Sequence, residues 1–514
     1  MLVKTYAAAL QGIDAQIITI EVNCSRGIKF FLVGLPDVSI KESHERINSA
    51  LNESGYKFPG RQIVINMAPA DIRKEGSSYD LPLAIGILAG AEKIEHDRIG
   101  DFIIMGELSL DGSLKTVHGV LPIAIKAREC GFKGMILPAS NAREAAVVKD
   151  LEVYGCKNLA EVIKFFNDEI TLERTVVNPR REFYEKQSFI DSDFAEVRGQ
   201  ENVKRAVEIA CAGGHNIIMV GSPGAGKSMI AKRIPSILPP LTLRESLETT
   251  KIHSVAGKIT NNDSLIAIRP FRVPHHTISH VAMVGGGSYP RPGEISLAHN
   301  GVLFLDEIAE FSRQVLEVLR QPLEDRKITV ARAKQTVEFP AGFMLVAAMN
   351  PCPCGHYNNP YKACTCSTQQ VQKYLNRISG PLMDRIDIQV EIVPVKFEAI
   401  SNVRPTESSE EIRDRVVSAR QIQTDRFKNE EGIYCNSQMT ARLLNKYAMP
   451  DAAGLARLKN AMERLSLSAR AYDKILRVSR TIADLEGERD IKQEYIAEAI
   501  SYRNLDRENW AEMI

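Results

Sequence analysis

The 514-residue chain has almost no net charge: 65 Lys and Arg stand against 64 Asp and Glu. A formal charge of +1 gives no bulk attraction for nucleic acid, so any such binding has to come from local patches. No apolar run approaches the length of a membrane span. The first residues lack the pattern of a signal peptide. The nine cysteines show no secreted disulfide spacing, and the expected compartment is a reducing cytoplasm. What is present, 44% hydrophobic and 25% charged residues, is the composition of a soluble globular protein. The length predicts roughly three domains.

One stretch organises the rest. Residues 216–231 read as a short apolar strand, then Gly221-x-x-x-x-Gly226-Lys227-Ser228, then the start of a helix. This is the phosphate-binding loop of an NTPase in the context the motif requires. Glycines let successive N–H groups point at one anion, and the helix N-terminus adds partial positive charge. Gly221, Ser222, Pro223, Gly224, Ala225, Gly226, Lys227, Ser228 and Met229 form the expected ATP cradle. Lys227 reaches the β- and γ-phosphates in this reading, and the Ser228 hydroxyl binds Mg²⁺. The competing reading is a glycine-rich turn before an ordinary helix.

A second half-site follows 85 positions after Gly221. Residues 301–305 predict a buried strand, and Asp306 and Glu307 stand at its C-terminal end, the edge where parallel sheets bind ligands. Two adjacent carboxylates suit two roles: Asp306 on Mg²⁺ through water, Glu307 on the attacking water. A third strand, 343–349, ends in a polar residue, Asn350, which read alone is a strand-end turn residue before Pro351. Cys352, Cys354, Cys364 and Cys366 fall as Cys-x-Cys, nine residues, Cys-x-Cys. Paired cysteines in a cytosolic chain suggest structural Zn²⁺, although one intervening residue per pair is shorter than usual. Reduced thiols or a redox pair are the alternatives, with His356 as a spare ligand.

The strand, loop and carboxylate order resembles AAA+ ATPases. The resemblance places Gly199 and Gln200, before the helix at 201–212, near the adenine, and makes Asn350 sensor 1. The segment 377–388 resembles the part of magnesium-chelatase and MCM-type ATPases that carries the arginine finger. Arg385 takes that position, with Arg377 second, and a finger acting on a neighbour implies a ring. A surface Arg paired with Asp384 or Asp387 is the plainer reading. Arg470, at the start of a helix capped by Ser468 or Ser466, matches sensor 2. An insert at 269–288, broken by Pro and Gly, is expected outside the core; its resemblance to an insert of the magnesium-chelatase-like and MCM clade implies a loop facing a ring pore. Its His275, His276 and His280 have a poor spacing for metal. Residues 326–339 predict a β-hairpin with Arg332 and Lys334 at the tip. By resemblance to MCM-type helicases, that tip meets DNA phosphates; a solvated turn is the alternative.

Residues 1–170 mix short strands and helices and predict an α+β domain. Residues 69–84 and 106–122 together resemble the Lon proteolytic domain, with Ser78 in the nucleophile's place. Asp80 replaces the second glycine of the Gly-x-Ser-x-Gly turn, and Pro122 stands where the lysine base belongs. A serine without a base is a weak nucleophile, so the expectation is the fold without the chemistry. Lys74 and Lys115 are the only substitute bases considered. Residues 171–195 read as a linker, 196–395 as the α/β ATPase core with its parallel sheet, and 396–514 as an all-α lid.

Taken whole, the chain resembles the ComM/YifB group of magnesium-chelatase-like AAA+ ATPases. That implies a hexameric, cytoplasmic ATPase acting on branched DNA or strand junctions, as a branch-migration helicase in recombination of transforming DNA. Two alternatives are a magnesium-chelatase-type motor subunit and a Lon-like protein-remodelling machine.

Overall fold

The computed structural model describes residues 1–514 except 188–191, 261–262, 288–289, 333–334, 395–405, 466 and 504–514. The side chains of Arg332 and Gln335 are also outside the description. The chain divides into two compact units, one mainly from Met1–Lys186 and Thr242–Ala267, the other from Gln187–Leu241, Ile268–Arg332 and Pro340–Ile514.

In the first unit, alternation sets the sheet. Gln62–Ala68 buries every second residue, Ile63, Ile65 and Met67, as a strand with one face on a core must. Its seven-stranded sheet runs Phe30–Val33, Gln62–Ala68, Asp14–Ser25, Leu2–Gln11, Phe102–Ile104, Gly134–Pro138, Glu152–Cys156. Leu2–Gln11 pairs antiparallel with Asp14–Ser25 and parallel with Phe102–Ile104. The helix Asp80–Gly90 is buried at every residue, as its apolar composition dictates. Gly86 lets it press on the sheet: a Cβ there would lie 2.7 Å from a Val22 methyl. The mixed α and β elements are those expected, but the linker is not irregular throughout. Pro179–Gln187 forms a helix that buries Phe183.

The second unit holds a five-stranded sheet in the order Phe271–Arg272, Val302–Leu305, Met344–Met349, Ile217–Gly221, Ile388–Ile392. Every neighbouring pair is parallel. The three middle strands are buried throughout, which is why they read as unbroken apolar runs and not as alternation. One expectation fails here. The 269–288 insert is not all outside the core, because Phe271 and Arg272 pair with Val302 and Leu303 as the sheet's edge strand. Arg272 is held there by a two-pronged ion pair with Glu294, both contacts at 2.7 Å. Further on, His280–Val284 form a short helix with Met283 and Val284 buried.

Lys327–Arg332 and Gln335–Pro340 make the expected two-stranded sheet. Lys334 and the side chain of Arg332 lie outside the described residues. Beyond 405 the described elements are helical, among them Ser409–Arg426, Ala452–Arg464, Ala469–Leu485 and Gln493–Ser501. Ala469–Leu485 is the most deeply packed, and Ser468 caps it by accepting from the Ala471 N–H at 3.2 Å. Ser466, the other cap considered, is not described.

Candidate nucleotide site

The site lies where the order of the parallel strands reverses, at the C-terminal edge of Ile217–Gly221. The chain leaves Gly221, turns through Gly224 and Gly226 at φ +78° and +93°, and enters the helix Lys227–Ile237. Both glycines adopt a left-handed backbone that residues with a Cβ rarely take. Pro223, Gly224 and Met229 are exposed, while Ser222 and Lys227 are buried.

Four of the expected side chains come together. The Lys227 ammonium donates to the carbonyls of Gly221 at 2.6 Å and Ser222 at 3.0 Å, and to Asn350 Oδ1 at 3.2 Å. Burial lowers the Lys227 pKa, opposed by the charges of Asp306 and Glu307. The Ser228 hydroxyl donates to Asp306 Oδ2 at 2.6 Å. That pair is the donor set a Mg²⁺ ion uses, one hydroxyl and one carboxylate with the remaining positions left to water and phosphate. Glu307 is exposed and has φ +51°, an uncommon conformation for a residue with a side chain. Its N–H bonds Asp306 Oδ1 at 3.0 Å. Such backbone geometry is concentrated at functional sites. Gln200 also has a left-handed backbone, φ +64°, and donates to the Val393 carbonyl at 2.8 Å, one residue past the strand that pairs with Gly221.

The two arginine expectations look different in three dimensions. Arg385 is folded onto its own chain, with Nε on the Arg320 carbonyl at 3.1 Å and its far end on Glu324. Its side chain is 12% exposed. Arg377 is half exposed, paired with Glu310 at 2.8 Å and lying over the Tyr374 ring. Arg470 does not meet Lys227; it pairs with Asp384 at 2.9 Å, the residue before Arg385.

Cys352, Cys354, Cys364 and Cys366 converge, their sulfurs all within 4.8 Å of one another. Three separations are 3.3, 3.5 and 3.7 Å. A disulfide needs about 2.05 Å. Tetrahedral Zn–S bonds of about 2.3 Å put sulfurs about 3.8 Å apart. The cluster therefore has the dimensions of a four-thiolate metal site, despite the short Cys-x-Cys spacing. Backbone N–H groups point at it, from Tyr357 to Cys352 at 3.3 Å and from Cys366 to Cys364 at 3.4 Å. His275, His276 and His280 make no such cluster: among the described residues, only the four cysteines group as possible metal ligands. His275 bonds Thr277 at 2.9 Å.

Sequence reasoning missed Asn359 and Gly355. Asn359 Nδ2 donates to Ser222 Oγ at 2.9 Å, and Gly355 lies against Pro223. No local pattern marks either contact. The nearest signal is that the cysteine segment begins two residues after Asn350.

In the first unit, no base among the described residues hydrogen-bonds the Ser78 hydroxyl. Lys74 is fully buried and gives its ammonium to the carbonyls of Gly34, at 3.0 Å, and Pro69. Lys115 is exposed and Pro122 is buried in the helix Val120–Glu129. Asp80 instead forms a buried two-pronged pair with Arg46, at 2.7 and 2.8 Å.

The comparisons agree with this geometry. Residues 193–400 match the family described as magnesium chelatase, subunit ChlI; 20–141 match subunit ChlI of Mg-chelatase; and 406–503 match the ChlI C-terminal family. The competence protein ComM of Haemophilus influenzae is 42% identical over 98% of this chain and 97% of its own. The protein YifB of Salmonella typhimurium is 40% identical over 98% and 97%. Lon protease 2 of Bacillus subtilis is 32% identical over 28% of this chain and 24% of its own. With a parallel-sheet ATPase core, a Lon-like N-terminal region and a helical C-terminal region, the chain belongs to the ComM/YifB group of magnesium-chelatase-like AAA+ proteins.

Proposed function

We propose that this protein is a ring-forming ATPase that couples ATP hydrolysis to the movement of DNA, as a branch-migration helicase. The observation that carries the hydrolysis reading is the convergence of Lys227 with Asn350 and of Ser228 with Asp306 at one sheet edge. Lys227 binds phosphate oxygens in place of its present carbonyl partners. Ser228 and Asp306 hold Mg²⁺, which neutralises charge on the β- and γ-phosphates when bound. Glu307 accepts a proton from the attacking water, and Asn350 orients that water. Gln200 contributes to the adenine pocket.

The pairing of Arg470 with Asp384 is the observation that supports a site assembled from two subunits. Asp384 directly precedes Arg385, and in this reading the sensor-2 candidate and the finger candidate both act on a neighbour's γ-phosphate. The finger is Arg385 once Glu324 releases it. DNA is favoured by the hairpin Lys327–Arg332 and Gln335–Pro340, which leads directly into the Asn350 strand. Arg332 and Lys334, between its two strands in the sequence, are proposed to contact phosphates. The relative from Haemophilus influenzae is named for competence, which agrees with transforming DNA as the client; a cytoplasmic location is part of the same proposal. The four-cysteine cluster holds structural Zn²⁺. Peptide hydrolysis is not proposed, because Lys74 is committed to carbonyls and Pro122 carries no base.

The test is turnover with and without a branched DNA junction. Stimulation that disappears on joint Arg332→Ala and Lys334→Ala substitution, with basal hydrolysis kept, supports the reading. Stimulation unaffected by that change contradicts the assigned DNA contact.

A further inference from the structure

The four cysteines do not form an appendage. The knuckle they enclose is built onto the ATP site at two points. Its first cysteine is two residues from Asn350, whose side chain bonds Lys227 at 3.2 Å. Its turn, Gly355 to Asn359, lies on the phosphate loop. A Cβ on Gly355 would sit 2.5 Å from Pro223 Cδ, and the φ of +79° there also excludes most side chains. Asn359 donates to the Ser222 hydroxyl at 2.9 Å. Its own carbonyl oxygen is fixed by the N–H groups of Tyr361 at 2.8 Å and Lys362 at 3.1 Å, so the side chain has one orientation.

This turn has little else to order it. Residues 350–367 contain no helix or strand, and of the four sulfurs only Cys352 is buried. Ordering a loop of this length without secondary structure costs much conformational entropy, which a crosslink lowers. The four sulfurs are placed to do so through a metal, at the separations given above.

We infer that a divalent metal bound by Cys352, Cys354, Cys364 and Cys366 clamps the phosphate loop through Gly355 and Asn359, so that metal occupancy sets nucleotide affinity. The soft thiolate donors select Zn²⁺ over Mg²⁺, and with all four positions filled by protein the ion has no open position for chemistry. Its effect reaches ATP only through backbone order. The inference rests on the ATP-site reading and fails separately from it.

The experiment uses the full chain and a fluorescent ATP analogue. Metal content is measured per chain, then Zn²⁺ is removed with a thiol-reactive mercurial plus chelator, the thiols are regenerated, and Zn²⁺ is added back. The expected results are one zinc per chain, roughly tenfold or greater weakening of the analogue on removal, and recovery on re-addition. Asn359→Ala should keep its zinc and still bind the analogue several-fold more weakly, which separates the clamp from a general folding defect. Unchanged affinity in the stripped protein, or in Asn359→Ala, overturns the coupling. A chain that neither carries nor takes up zinc overturns the metal site. Failure of the untreated zinc-loaded protein to bind the analogue overturns the ATP-site reading instead.

Discussion

The Lys227 ammonium reaches Asn350 Oδ1 at 3.2 Å across 123 positions of sequence. One residue belongs to the phosphate loop, the other to the end of the neighbouring strand. In the proposed reading, a γ-phosphate sits beside this contact. Replacing Lys227 with Ala should abolish ATP binding. Replacing Asn350 with Ala should leave binding within a few-fold and lower turnover by about 10- to 1000-fold, the range for one lost transition-state donor. Equilibrium binding beside steady-state turnover distinguishes the two. Equal loss of both in Asn350→Ala would show that it holds substrate and does not act in the transition state.

The arginines should reveal a shared site by mixing. Arg385→Ala and Arg470→Ala chains are each expected to be inactive alone but to bind ATP. Mixed with Lys227→Ala chains, which bind no ATP but keep their arginines, either variant should regain part of its turnover. No recovery at any ratio would place both arginines on their own subunit's nucleotide.

Much of this site is legible in the sequence because its chemistry is local. Eight consecutive residues from Gly221 match a loop motif whose backbone suits a phosphate, and Asp306 and Glu307 follow a strand that burial makes unmistakably apolar. The contacts between segments are not legible. Ser222 and Asn359 are 137 positions apart, and a single side-chain bond leaves no periodic trace. Arg470 and Asp384 are joined the same way across 86 positions. Phe271 and Arg272 escaped because a two-residue edge strand is too short for any period to register. In the first unit the loss of the lysine base was readable at Pro122, but the pairing of Asp80 with Arg46 was not.

A buried charge cluster ties the last helices to the sheet. Lys474, on the helix Ala469–Leu485, pairs with Asp387 at 3.1 Å, and Asp387 accepts from the Asn216 N–H at 3.2 Å, next to the phosphate-loop strand. Burial pushes the Asp387 carboxyl up, but the charges of Lys474 and His215 outweigh it and hold the group ionised. Removing one partner of a buried pair costs about 3–5 kcal/mol. Lys474→Met should destabilise the second unit by that amount in chemical denaturation. A change under about 1 kcal/mol would mean that His215 and solvent carry the charge unaided.

Asp80 gives the first unit a pH dependence of known sign. Burial raises its carboxyl to about 6, against the pull of Arg46 and the Leu108 N–H. The unfolded value is about 3.9. Between roughly pH 4 and 6 the folded state therefore binds more protons, and this group's contribution to stability falls as pH rises. Protection of the Asp80–Gly90 helix amides from hydrogen exchange, expressed as opening free energy, should show that fall. Asp80→Asn should flatten it. Arg46→Ala should steepen it, with greater destabilisation at pH 7 than at pH 5. An Asp80→Asn profile identical to wild type would remove Asp80 as the cause.

Ser78→Ala should leave ATP turnover unchanged, and neither form should cleave an unfolded protein substrate. Cleavage by the unmodified chain that is lost in Ser78→Ala would require a base other than Lys74, Lys115 or Pro122's position.

The most direct test of the whole account is steady-state ATP turnover of the purified full chain, with and without a branched DNA junction, beside Glu307→Gln. The account predicts strong stimulation by the junction and no turnover in Glu307→Gln, which should still bind ATP. Turnover that depends on Glu307 but is indifferent to DNA would contradict DNA as the client.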